Sequence, residues 1–167
     1  SVAAGTAPTS MSIEVQALAK AQSNASTSVP NGTAMGGGTL SIQLGSWATG
    51  TFEAGSAAAV NVTVDAQDSL ATIATKINAA GAGVTATVLR DASGERLLMR
   101  SSATGEVNGF RIQATDDDGF NDDAAGLSRL AYDEVNGNFH GMALSQAGSN
   151  AEASNNNTPI SSASNTD

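Results

Sequence analysis

The chain has 167 residues, no cysteine, and a formal net charge of −9 from seven basic and sixteen acidic side chains. Ten leucines, ten valines, six isoleucines and four phenylalanines make up less than a fifth of it, the level at which a charged chain begins to read as disordered. These figures exclude disulfide scaffolds and cysteine-held zinc, a membrane helix of about 18 apolar residues, and a nucleic-acid surface, which needs dense positive charge.

The apolar residues are placed in patches. Met11, Ile13 and Val15 alternate with Ser12, Glu14 and Gln16, the period of a half-buried strand. The run Leu18-Ala-Lys-Ala-Gln22 either closes that strand or adds one helical turn. Residues 23–38 are Ser, Asn, Thr, Pro and Gly, and predict a loop or crossing. Leu40, Ile42 and Leu44 alternate again, with Trp47 and Phe52 following. Val60, Val62 and Val64 form a β-branched strand. Leu70, Ile73, Ala74 and Ile77 then fall on one helical face, with Asp68 as the expected N-cap and Gly81 as the left-handed stop. Val84, Ala86 and Val88, a turn at Asp91-Ala-Ser-Gly94, and Leu97 with Met99 predict a hairpin whose glycine takes a positive φ. Phe110 and Ile112 add a strand after Asn108-Gly109. Residues 115–138 are an acidic, glycine-rich loop anchored by Leu127, Leu130 and Tyr132, with a turn at Asn136-Gly137. Met142 and Leu144 predict a short strand. From Ser149 onward, with Ile160 the lone large aliphatic, the chain reads as frayed or unpaired. The order predicts an α+β fold, mostly antiparallel sheet with one main amphipathic helix.

No motif carries standard chemistry. Gly81-Ala-Gly-Val-Thr-Ala86 has the letters of a dinucleotide fingerprint, but a helix ends there and a strand begins, the reverse of what phosphate binding needs. Met35-Gly-Gly-Gly-Thr39 lacks the lysine of a phosphate loop. The run Asp116-Asp-Asp-Gly-Phe-Asn-Asp-Asp123 offers oxygen ligands for calcium, yet its sixth and twelfth positions, Asn121 and Leu127, break the EF-hand spacing. A solvated acidic loop is the default. His140 is the sole histidine, and no partner at useful spacing makes it a base or a metal ligand. We expect no enzyme, no catalytic, cofactor-binding or metal residues, and no cofactor. Trp47, Phe52 and Phe120 are candidate interface aromatics, with core or loop anchoring the preferred reading.

Three segments carry a resemblance. The stretch Asp68-Ser-Leu-Ala-Thr-Ile-Ala-Thr-Lys-Ile-Asn-Ala-Ala-Gly81, continuing through Gly94-Glu-Arg-Leu-Leu-Met99 to Ser101-Ser-Ala-Thr-Gly105, resembles the helix-plus-hairpin unit centred on Ile-Asn in bacterial flagellar proteins. Ser12-Ile-Glu-Val-Gln-Ala-Leu-Ala-Lys-Ala-Gln22 is similar to an early strand of the flagellar filament cap family. Gly141-Met-Ala-Leu-Ser-Gln-Ala147 with Ser161-Ser-Ala-Ser-Asn165 is similar to that family's returning segment. Where the family carries an apolar strand and a Val-Asn-Gly turn, this chain has Ala153-Ser-Asn-Asn-Asn157, so that strand is expected to be degraded or displaced.

The resemblance implies an outer head domain at residues 37–135 and a discontinuous part of an inner one at 1–32 and 136–167. The family's long terminal helices are not in this sequence, so it reads as a head fragment. The resemblance further implies a ring-forming structural protein at the extracellular tip of the flagellum, with flagellin as partner, holding exported flagellin while it folds and inserts. The isolated head is expected to be monomeric in dilute solution. Two other readings stand beside it: a variable surface domain of a flagellin or hook-filament junction protein, and a secreted adhesive or carbohydrate-binding β-domain.

Overall fold

A computed structural model describes residues 12–133 and 140–166. In chain order the strands are β1 (Ile13–Ala17), β2 (Ser23–Ala25), β3 (Gly38–Ser46), β4 (Glu53–Ala54) and β5 (Val60–Val64). Helix α1 (Leu70–Ala80) follows, then β6 (Val84–Asp91), β7 (Gly94–Ser101), β8 (Gly109–Asp116), β9 (Ala143–Gln146), β10 (Ala151–Asn155) and β11 (Thr158–Ser162). Every strand pairing is antiparallel, and the α+β architecture is the one the sequence predicts.

β3 is the spine of the first sheet. β8 lies along its whole length, from Gly38 opposite Asp116 to Gly45 opposite Gly109. β5 and β4 share its other edge end to end. The second sheet has the order β6-β7-β2-β9. Between them lies one apolar core: Leu40, Ile42, Val62, Val64 and Ile112 from the first sheet, Val84, Ala86, Leu97 and Met99 from the second, and Leu70, Ile73, Ala74 and Ile77 from the helix. The period-2 patterns of β3, β5, β6 and β7 and the period-3.6 pattern of α1 put their apolar residues on the buried face; β1 keeps the alternation but is not half-buried, with Ile13 and Val15 61% and 62% exposed.

Four readings need correction. The N-cap of α1 is Ser69, whose side chain accepts from the Thr72 amide. Asp68 sits one residue earlier, where its carboxylate accepts from the Asp65 amide at 2.9 Å and pairs with Lys76. The predicted loop at 23–38 contains β2, which pairs with β7 and β9. Its polar letters hide it, because Asn24 faces inward, where its Oδ1 accepts from the Gln22 side-chain amide. The chain after Ser149 is a hairpin, β10-β11, joined to β1 in a third sheet of order β1-β10-β11. Asn156 and Asn157 both take positive φ (48° and 69°), the two-residue turn that matches strand twist and that asparagine tolerates. The strand expected to be degraded is therefore intact. Finally, residues 18–22 form no helical turn; Lys20 bridges Ser149. Met11 and the Asn136-Gly137 turn lie outside the described residues.

Side-chain amides supplement the thin core. Asn78 in α1 donates to the Ala86 carbonyl and accepts from the Ala86 amide, both at 2.8 Å, so it closes part of the open edge of β6. Asn165 makes the same two-way bond to Ala19, at 2.6 and 3.0 Å. Gln22 does so with Phe110 across the two sheets, 2.9 Å each way. Asn78→Ala is expected to destabilise the fold by about 1–2 kcal/mol, since it strands two backbone groups at once. Urea unfolding with unchanged slope would measure it.

Candidate functional site

The acidic loop is built around a buried carboxylate. Asp116 ends β8, and its Oδ2 accepts from the amides of Leu127 (2.6 Å) and Ser128 (3.1 Å), holding the short turn that brings Leu127 and Leu130 into the core. Asp123 accepts from the Ala125 amide and the Ser128 hydroxyl. Asp118 accepts from the Phe120 amide at 2.8 Å. These bonds are loop-closing caps of the kind Asp makes in turns. Among the described residues no group of three or more His, Asp or Glu is gathered as a metal site.

The three singled-out aromatics divide. Trp47 is half-buried; its Nε1 donates to the Phe110 carbonyl at 2.9 Å. Its ring meets Phe52 at 5.0 Å and Tyr132 edge-on at 5.3 Å. The Arg111 guanidinium lies 4.6 Å over Phe52. That cluster anchors the end of the β3-β8 sheet. Phe120 is different: it is 65% exposed at the tip of the acidic loop, beside an open cleft of about 620 Å³ lined by Ser41, Gln113, Thr115, Asn121 and Asp122.

A second open surface is the outer face of the β6-β7-β2-β9 sheet. Its alternate residues bring Thr85, Thr87, Leu98, Arg100 and Ser23 together under a mostly apolar groove of about 630 Å³. Sequence reading missed this groove, because it exists only once β2 pairs with β7. Arg96 lies four residues before Arg100 on the same strand and pairs with Asp91 at 3.4 Å. Asp91 is held below the usual carboxylate range by the Ser93 hydroxyl and amide, and more weakly by Arg96.

On the other side of the hairpin, Lys76 bridges Asp65 (2.7 Å) and Asp68 (2.5 Å), tying the start of α1 to the end of β5. Lys76 is raised by its bonds to Asp65 and Asp68; Asp68 is lowered by Lys76 first and the Asp65 amide second. The glycines of the Gly81-Ala-Gly83 run serve the backbone: both take positive φ, 65° and 73°, to end α1 and turn directly into β6.

Comparison with known proteins places this arrangement. Residues 48–103 match the flagellin hook IN motif, which spans the first-sheet edge, α1 and the β6-β7 hairpin. A B-type flagellar hook-associated protein 2 from Pseudomonas aeruginosa is 39% identical over 75 residues, 43% of this chain and only 15% of that relative. The solved D2-D3 domains of the flagellar cap protein FliD from Escherichia coli superpose with a TM-score of 0.77 at 28% identity, over 99% of this chain and 80% of that one. FliD from Pseudomonas aeruginosa superposes with a TM-score of 0.73 at 27% identity, over 98% and 70%. With the central motif and nearly the full run of strands both shared, the chain is similar in fold and sequence to the D2-D3 domains of flagellar cap proteins, and it spans only a small part of the curated relative it matches.

Proposed function

We propose that this chain is the head region of a filament cap that sits outside the cell at the flagellar tip and promotes folding and insertion of exported flagellin. The observation that carries the reading is the likeness to FliD D2-D3 domains along 99% of the chain. The absence of cysteine suits a protein exported unfolded through a narrow channel. In this reading the full protein associates into a ring and contacts flagellin, with no catalytic role, and the isolated head stays monomeric when dilute. The division into an outer unit, residues 37–135, and part of an inner unit, 1–32 and 136–167, belongs to the same proposal. Its seam is the β6-β7-β2-β9 sheet, which draws strands from both parts.

A second reading, a variable surface domain of a flagellin or junction protein, is favoured by the IN motif alone, which is named for flagellin and hook proteins. One experiment separates them. The gene encoding this chain, expressed in a strain that lacks its cap protein, is expected to restore filaments and stop loss of flagellin monomer to the medium. Continued leakage with no filaments overturns the cap reading. Purified product that grows into long polymers by itself supports the flagellin reading.

A further inference from the structure

Two surfaces of this chain complement each other. The first is the acidic loop. Phe120 is the most exposed large apolar side chain among the described residues, and Asp117, Asp118 and Asp122 around it are exposed as well. No basic residue occurs between Arg111 and Arg129. Asp118 holds the Phe120 amide, which fixes the ring on the outside of the turn. A phenyl ring held in water by its own loop is an unpartnered contact.

The second surface is the groove over β6, β7 and β2. Its floor is Leu98, Thr85 and Thr87, and Arg100 stands at its side. Lys76, Arg90 and Arg96 each pair with a carboxylate. Arg100 is exposed and has no ion-pair or hydrogen-bond partner among the described residues. In a chain of net charge −9 an unpaired arginine beside an apolar groove is a local exception. Asp91, the acid on the same face, is occupied by Arg96 and Ser93.

The cleft around Phe120 and the groove share no lining residue, so the two surfaces are separate on one molecule. We propose that two copies of this chain meet head to tail, with Phe120 of one seated in the groove over β6, β7 and β2 of the next, and Asp118 and Asp122 facing Arg100. Different patches on the two copies make the contact heterologous, the kind that closes into a ring or runs on as a filament. The apolar ring supplies contact area, and the charges set register and orientation. The proposal rests on the self-association in the cap reading and names the surfaces that carry it.

The lack of cysteine makes the test clean. Asp117→Cys and Ser102→Cys chains, which keep Asp118, Asp122 and Arg100, are mixed at roughly millimolar concentration, where contacts with a millimolar Kd are populated, and oxidised. The disulfide-linked heterodimer is expected at about ten times the yield of a control mixture of Ser102→Cys with Thr51→Cys, because docking raises the effective concentration of the two thiols. Adding Phe120→Ser to the Asp117→Cys chain is expected to remove the excess. All these positions are exposed, so folding is checked by an unchanged thermal midpoint. Equal yields in the two mixtures, or an excess that survives Phe120→Ser, overturns the proposal. Filament growth tests the cap reading separately, so either can fail while the other stands.

Discussion

Gln22→Ala is expected to cost about 3 kcal/mol of stability and to lower the thermal midpoint by roughly 8 °C. Gln22 is 1% exposed and lies where the two main sheets meet. Its Oε1 accepts from the Phe110 amide and its Nε2 donates to the Phe110 carbonyl and to Asn24 Oδ1, each at 2.9 Å. Truncation leaves the Phe110 amide and the Asn24 oxygen buried without these partners, while the carbonyl keeps Trp47. Each stranded group costs about 1–3 kcal/mol, more than the bond itself is worth. Asn24 Nδ2 already has no partner, so the site has no slack. Gln22→Glu is the informative companion. It keeps the volume and one acceptor, but turns a second oxygen toward the Phe110 carbonyl, and is expected to destabilise at least as much as alanine at neutral pH. A loss below about 1 kcal/mol for Gln22→Ala in urea unfolding would show that the amide does not hold the sheets together.

The regular parts of the fold were legible because they rest on local periodicity. Leu40 and Ile42, the three valines of β5, the helical face at Leu70 to Ile77 and the β6-β7 hairpin all sit where their spacing puts them. What was not legible depends on partners far away in sequence. β2 has no apolar alternation; it is a strand because β7 and β9 lie on either side of it. β10 and β11 are Asn- and Ser-rich, and read as a frayed end until the positive φ of Asn156 and Asn157 is seen to close a hairpin against β1. Asparagine and glutamine signal turns in a local reading. In this chain Gln22, Asn78 and Asn165 act instead as substitute strand edges, each bonding one backbone residue both ways. That is how a chain so poor in aliphatics holds two sheets, a helix and a third small sheet together. The surfaces divide in the same way. The acidic loop was visible as composition, and Phe120 as a candidate aromatic, but the groove needed β2 in place, and no spacing in the sequence brings Ser23 beside Arg100.

Glu95→Ala is expected to cost about 3 kcal/mol at neutral pH, because it removes the acceptor of a buried, charge-assisted network. Glu95 lies in β7 and is fully buried. Its Oε1 accepts from the Gly32 amide at 2.9 Å, and its Oε2 accepts from Arg90 Nε at 3.0 Å. Its backbone exchanges two 2.8 Å bonds with Val29. The residue thus pins the turn at Pro30 and Gly32 against the hairpin, and Gly94 beside it has no room for a side chain against the Val29 carbonyl. The Gly32 amide lowers the pKa first, burial opposes, and Arg90 adds a smaller push down. A lowered pKa means that the fold favours the ionised form. Its contribution is complete above the ordinary value near 4.5 and erodes as the pH falls through that value toward the folded one. Glu95→Gln keeps an acceptor for Gly32 but turns an amide toward Arg90. It is expected to cost about 1–2 kcal/mol at pH 7, with the gap to the parent chain narrowing as the pH falls below the ordinary glutamate value. Asp68 and Asp91 are lowered too, so both chains lose stability in acid. The difference between their two stability curves isolates Glu95. A gap that stays constant from pH 7 to 3 would show that ionisation of this carboxylate is not what the Gly32 amide and Arg90 stabilise.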